Sequence, residues 1–461
     1  MTKPFPKPIS FLKLLGPSFI ILALGLGSGE VILWPYLASN YGLGIFWAAV
    51  LGISCQYFIN MEIERYALIR GESVFVGLNK VFPKAPYWFI LSTFVGFGLP
   101  GIIAASAQVF AALFGIANFK WIAIAFLLGI GFMLSIGKTV YGLMERVTKT
   151  IILLGIPFIF VLVVVLAKNS DWVELGRGLF GSGNNFSFLP AGISLATFFA
   201  AFAYSGAGGN LNLTQSIYVK EKGYGMGKYA QKISGLFANL KQQQTVKLTG
   251  ETFPLTDENI KQFKRWWTRI NLEHFLVFWL VGSLAMGLLM LLAYTTTYGL
   301  PHNAEGIRFV INEGAIIGQK LPSIVGSLFL LVVSLMLFQT QLGVLDSTSR
   351  IMAENFALKK LGKDEEGKIN LSKIYFVFLW AQIAFGVILF LLNIYEPKSL
   401  IVLGAVLNAM AMTVHIALVN ITNWRLLPKP LQPQLAKKII LIVIFTIFAG
   451  FSIFTIGDKI F

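Results

Sequence analysis

The chain of 461 residues is 56% hydrophobic and only 13% charged, which excludes an ordinary soluble globular protein. Its formal net charge of +16 suggests nucleic acid as a partner until the basic residues are placed, after which topology explains them. The single cysteine, Cys55, excludes an intrachain disulfide, and the absence of a His/Cys cluster or a triad pattern argues against a membrane enzyme.

Eleven apolar runs, each long enough for a ~30 Å hydrocarbon core, predict spans near 17–38, 44–66, 88–115, 120–137, 150–167, 190–218, 272–297, 322–346, 372–393, 398–423 and 436–457. They are numbered here as spans 1 to 11. The expectation is an all-α polytopic membrane protein, one transporter domain over 1–461, with no resident cofactor and no obligate protein partner. The N-terminal Lys3 to Lys13 before span 1 resembles a signal sequence, but the apolar run is long and Leu37-Ala38-Ser39 is a poor cleavage site, so span 1 is read as uncleaved. With the N-terminus cytoplasmic, about 30 of the 37 Lys and Arg fall on inner segments. Outside remain Lys120, Lys168, Arg177, Arg308, Lys320, Lys398 and Lys459. Eleven spans then place the C-terminus outside, in the cell (inner) membrane of a prokaryote.

Span 1 is interrupted by Gly25-Leu26-Gly27-Ser28-Gly29-Glu30. Three glycines within five residues lower helix propensity, and a carboxylate follows at once. Charge at the middle of a membrane helix is costly and marks a function or a buried partner. Alternatively, Glu30 caps the second half-helix, where free N–H groups favour a carboxylate. Span 2 ends in Glu62-Ile63-Glu64-Arg65-Tyr66, read either as an interfacial ion pair between Glu62 and Arg65 or as a gate. Span 3 carries no acid, and Pro100-Gly101 predicts a kink. The segment Trp172 to Phe180 reads as an external interfacial helix.

Span 6 is interrupted in the same way by Tyr204-Ser205-Gly206-Ala207-Gly208-Gly209-Asn210. The long basic loop 220–271 follows, with a Gln run at 242–244. Phe263-Lys264-Arg265-Trp266-Trp267 is expected to approach the membrane surface. In span 8, Asp346 and Arg350 are spaced four apart and read as a salt bridge at the helix end, with Ser347 and Ser349 beside them. Span 10 holds Asn408 and His415 among Met410 and Met412, which read as packing rather than as a soft-metal site. Spans 1–5 (about 14–168) and 6–10 (about 188–425) form two groups of five, each opening on a broken helix. Five is odd, so the second group is inverted, and span 11 (about 436–457) is extra. This is the LeuT-type architecture, whose sites lie at the breaks.

Several motifs then resemble the Nramp family of divalent-metal transporters. They are Gly16-Pro17-Ser18-Phe19, the break eleven residues after Gly16, Tyr41-Gly42 closing span 1, Trp172 to Leu179 before span 6, and Met352-Ala353-Glu354-Asn355-Phe356 after span 8. The resemblance covers essentially the whole chain in order. It implies a metal site between the breaks, yet the family's ligands are mostly absent. Its Asp-Pro-Gly-Asn becomes Gly27-Ser28-Gly29-Glu30 and its Met-Pro-His-Asn becomes Ala207-Gly208-Gly209-Asn210. The family's second histidine falls on Thr214, the acids of its span 3 near Leu99 and Ile102, and its span 10 glutamine near Ala411 with Asn408 one turn away. The resemblance is therefore to a divergent, Nramp-related subgroup.

The candidate substrate site comprises Gly27, Glu30, Ala207, Asn210, Asn212, Thr214, Gln215 and Asn408, joined by carbonyls freed at 24–27 and 203–207. These hard oxygen donors suit Mg²⁺ or Mn²⁺ better than soft ions, with the metal as transported substrate. An alternative is a LeuT-type symporter, in which the glycine-rich half-helix N-termini hold a small anion or amino-acid-like solute. In that reading Asp346, Ser347 and Ser349 could complete a coupling-ion site with span 1 carbonyls. A non-transporting membrane sensor is a further alternative.

Overall fold

The computed structural model describes residues 2–136, 139–183, 186–233, 236, 244–300, 303, 307–364 and 366–460. Among them, nine helices are long and apolar enough to cross a membrane. The remaining two expected spans also fold as helices but fall outside that count for physical reasons. Span 4 is a single helix, Lys120–Ile136, of 17 residues. Span 6 is divided by its glycines into Leu195–Ala203, a tight turn of helix at Gly209–Leu213, and Thr214–Lys222.

Span 1 runs Pro17–Gly25, breaks at Leu26-Gly27, and resumes as a wide turn, Ser28–Leu33, leading into Trp34–Tyr41. Span 2 is the unbroken helix Phe46–Arg70, stopped by Gly71 in the left-handed conformation. Span 3 divides at Pro100 into Ala85–Phe97 and Gly101–Leu113, because proline cannot continue the hydrogen-bond ladder. Span 5 is Val140–Leu166, and the short helix Asn169–Gly178 follows where an external helix is expected. Spans 9, 10 and 11 are Leu371–Leu391, Pro397–Leu426 and Leu435–Ile460.

Two helices overrun their expected limits. Span 8 is one helix of 39 residues, Ser323–Leu361. Asp346 and Arg350 therefore lie inside it rather than at its end. Span 7 begins at Asp257, where the Thr256 hydroxyl accepts from Asn259 N. The expected approach to the membrane surface is instead a docking face. Trp266 is fully buried and its indole donates to Pro6 O, Phe263 packs edge-on against Phe5, and the Arg65 guanidinium sits 3.9 Å over Trp267. Phe263 and Trp266 cover the N-terminal segment, and Trp267 lies beneath Arg65 of span 2. The Gln run lies mostly outside the described residues.

The Glu62–Arg65 pair is buried and tied into its surroundings. Glu62 accepts from Asn423 Nδ2 of span 10, and Arg65 Nη1 donates to Leu431 O. Spans 2 and 10 are thus locked together at this end.

Candidate functional site at the crossing of two broken helices

The two breaks touch. In span 6 the chain turns through Gly206, Gly208 and Gly209 at φ values of 127°, 70° and 53°, which residues with a β-carbon rarely adopt. Gly29 of span 1 lies directly on the Tyr204 carbonyl, and a methyl group there would overlap it. Trp34 Nε1 donates to Ser205 Oγ at 2.9 Å and fixes the same crossing. Gly29→Ala is expected to destabilise the protein by about 3 kcal/mol or more, beyond ordinary core overpacking because the obstacle is backbone. Thermal unfolding of the purified variant measures this.

Glu30 sits at this crossing with no solvent exposure. Neither carboxylate oxygen has a hydrogen-bond partner. A methyl placed on Gly25 would lie 2.5 and 2.8 Å from the two oxygens and 2.7 Å from the Gly206 carbonyl carbon. The side chain therefore folds back over the first break and lies beside the second. It makes no hydrogen bond to a backbone N–H of the second half-helix. A helix cap needs such a bond. A fully buried carboxylate without one costs several kcal/mol and calls for a cation or a proton.

The other expected site residues do not converge on one point. Gly27 packs against the Thr340 side chain. Thr340 Oγ1 donates to the carbonyls of Ala23 and Leu26, and Gln339 Nε2 also donates to Ala23 O. Gly25 O and Gly27 O accept from Gly27 N and Val31 N, and Ala203 O accepts from Gln56 Nε2. Much of the expected carbonyl set is therefore already engaged. Thr340→Val should cost about 1–3 kcal/mol by stripping the buried Leu26 carbonyl of its side-chain donor, while Ala23 O keeps Gln339, read as a lower midpoint of thermal unfolding.

Ala207 is buried at the second break. Asn210 turns away to span 3, donating to Ser92 Oγ and Thr93 Oγ1. Thr214 bonds to its own helix at Leu211 O. Asn408 donates to Gly96 O and to the Tyr204 hydroxyl, bracing the second break from span 10. Gln215 faces span 2, where its Nε2 donates to Glu64 Oε2 at 3.2 Å, and Asn212 is buried with neither amide atom partnered. The expected donor set is thus shared among three neighbours, because the short turn of helix after the break rotates successive side chains onto different faces.

The expected coupling-ion group is corrected more strongly. Asp346 is enclosed by Arg350 Nε, Tyr218 Oη and Tyr375 Oη. Ser347 pairs with Tyr218, and Ser349 accepts from Gln382 Nε2. Arg350 Nη1 reaches Glu221 at 2.7 Å. A guanidinium already supplies the positive charge there, and Thr340 rather than Ser347 or Ser349 meets the span 1 carbonyls.

Gln56, Asn60, Glu64 and Thr340 also belong to the region, although none of them is among the residues expected from the sequence. Gln56 bridges the second break, donating to Ala203 O and accepting from Gly208 N. A signal for three of them exists. Gln56, Asn60 and Glu64 recur every four residues on an apolar helix, so they share one face. The positions where the resemblance places span 3 acids, Leu99 and Ile102, line a narrow apolar cleft beside Tyr204 and Gln341. Among the described residues, no three His, Cys, Asp or Glu side chains form a metal-holding group.

No family model matches the chain, and no curated protein matches its sequence. Solved structures do. The manganese transporter of Eremococcus coleocola, in the form of a point mutant, superposes with a TM-score of 0.71 at 12% identity, covering 99% of this chain and 90% of the other. The same transporter with an aromatic bis-isothiourea substituted compound gives 0.63 at 12% identity, covering 98% and 96%. The fold is shared. The all-α, five-plus-five arrangement with broken spans 1 and 6 is therefore the architecture of this chain, embedded as an integral membrane protein. At such identities the likeness reaches no further than the fold.

Proposed function

We propose that this protein is a membrane transporter that carries a divalent cation, with a site that favours hard ions such as Mg²⁺ and Mn²⁺. The observation that carries the reading is Glu30, a wholly buried carboxylate with both oxygens unpartnered at the point where the two broken helices touch. Only a cation or a proton neutralises such a group. The breaks, 24–31 and 203–210, carry neither sulfur nor imidazole, which selects against soft ions. The neighbouring fold of a manganese transporter supports transport as the activity.

The symporter of a small anion fits less well. Glu30 repels a carboxylate, and Gly208 N, one of the glycine N–H groups expected to hold it, already donates to Gln56. In the proposed reading the chain is a single transporter domain in the cell membrane, with its N-terminus cytoplasmic and its C-terminus outside. Uptake of Mg²⁺ and Mn²⁺ into proteoliposomes, side by side and in competition, tests it. Saturable flux of at least one ion, inhibited by the other, is the expected result. A monodisperse protein that moves neither overturns it.

A further inference from the structure

Span 2 and the second half of span 6 run side by side with a constant register. At one rung Gln56 Oε1 accepts from Gly208 N, 152 positions apart in sequence. At another, Glu64 accepts from Gln215 Nε2, 151 positions apart. Between these rungs, counting four residues from each partner of the first, helix spacing places Asn60 and Asn212 at a common level. Both are fully buried, and all four of their amide atoms lack a hydrogen-bond partner. Buried amides left without a partner call for one that the chain itself does not supply. Glu64 Oε1 and Gln215 Oε1, at the next rung, are also buried and unpartnered. Helix spacing thus places four unpartnered oxygens from four side chains, one of them a carboxylate, along the same seam.

The seam continues from the first site. A methyl on Gly206 would lie 2.7 Å from Gln56 Oε1, and Gly206 also neighbours Glu30. The order is therefore Glu30, Gln56, Asn60 with Asn212, then Glu64 with Gln215, toward the end of span 2 that carries Arg65 and Arg70. Beyond Glu64, within Coulombic reach, lies Glu273, whose Oε2 accepts from Ser18.

We propose that Asn60, Glu64, Asn212 and Gln215 form a second cation site, an inner station through which the ion released by Glu30 leaves toward the cytoplasm. One carboxylate and three amide oxygens are hard, weakly charged ligands, suited to holding a partly hydrated divalent ion briefly. A station of this kind lets an ion leave Glu30 without crossing bare apolar helix packing. The site rests on the cation-transport reading and is separable from it by experiment.

The test is Mn²⁺ binding to the full-length protein in lipid nanodiscs by titration calorimetry, with Mn²⁺ flux in proteoliposomes alongside. Wild type is expected to bind two ions. Glu64→Gln is expected to keep the Glu30-dependent ion, lose the other, and slow flux by about tenfold or more, the scale of one lost screened charge interaction. Asn60→Asp adds a second carboxylate without emptying the seam and should tighten the inner site by about tenfold. It therefore reads the site even if Glu64→Gln folds poorly. A wild type that binds one ion, lost in Glu30→Gln and kept in both Glu64→Gln and Asn60→Asp at unchanged affinity, overturns the inner site and leaves the transporter reading standing. A wild type that binds no Mn²⁺ and moves none overturns both.

Discussion

Glu30→Gln is expected to reduce cation flux by at least about 100-fold, or about 2.7 kcal/mol, while making the ion-free protein more stable. Both effects have one cause. The carboxylate is buried at the crossing with no partner for either oxygen. The amide keeps the shape and removes the charge. A cation then loses its one anionic ligand at the breaks, and the empty protein loses a desolvated charge that costs several kcal/mol. Thermal unfolding with and without Mn²⁺ reads the second effect. Wild type should gain stability as Mn²⁺ rises above its dissociation constant, by about 2.7 kcal/mol at a hundredfold excess, and Glu30→Gln should gain far less. A helix-capping role predicts the reverse pattern, a loss of about 0.5–2 kcal/mol in stability with transport intact. That result would discard the proposed site.

Arg350→Ala is expected to be the most destabilising change outside the breaks. The guanidinium holds Asp346 through Nε and Glu221 through Nη1, and lies over the rings of Tyr218 and Tyr375 at 5.4 and 5.8 Å. Its exposure is 1%, and Asp346 and Glu221 are equally buried. Removing one partner of such a group leaves uncompensated charge and costs about 3–5 kcal/mol; here two carboxylates are stranded. Replacing Asp346 as well should recover part of the loss, which a double-mutant cycle of thermal unfolding measures. Arg350→Lys should rescue little, because an ammonium cannot reproduce a planar fork shared between two carboxylates. A drop below about 1 kcal/mol for Arg350→Ala would mean that this network does not hold spans 6, 8 and 9 together.

The membrane character, the eleven helices and the position of both breaks were legible in the sequence. Each depends on local chemistry. A run of apolar side chains must be helical in hydrocarbon to satisfy its own backbone, and glycines clustered at 25–29 and 206–209 interrupt that helix wherever it is placed. The kink at Pro100 follows from the missing N–H of proline in the same way. The prominence of Glu30 was legible too, since a charge amid apolar residues is visible without coordinates.

Direction and distance were not legible. Asn210 and Gln215 lie five positions apart, yet the packing sends Asn210 to span 3 and Gln215 to span 2. Asp346 with its serines suited an ion in composition, but Arg350, Tyr218 and Tyr375 close around it only because spans 6 and 9 pack there. Phe263 to Trp267 have the composition of a membrane-surface helix, and the N-terminal segment covers Phe263 and Trp266 while Arg65 covers Trp267. The reason is common to all three. Composition determines what a side chain needs, a hydrogen bond, a counter-charge or an apolar cover. Which of several suitable partners supplies it depends on contacts between residues up to 366 positions apart in sequence, and only the tertiary structure sets those.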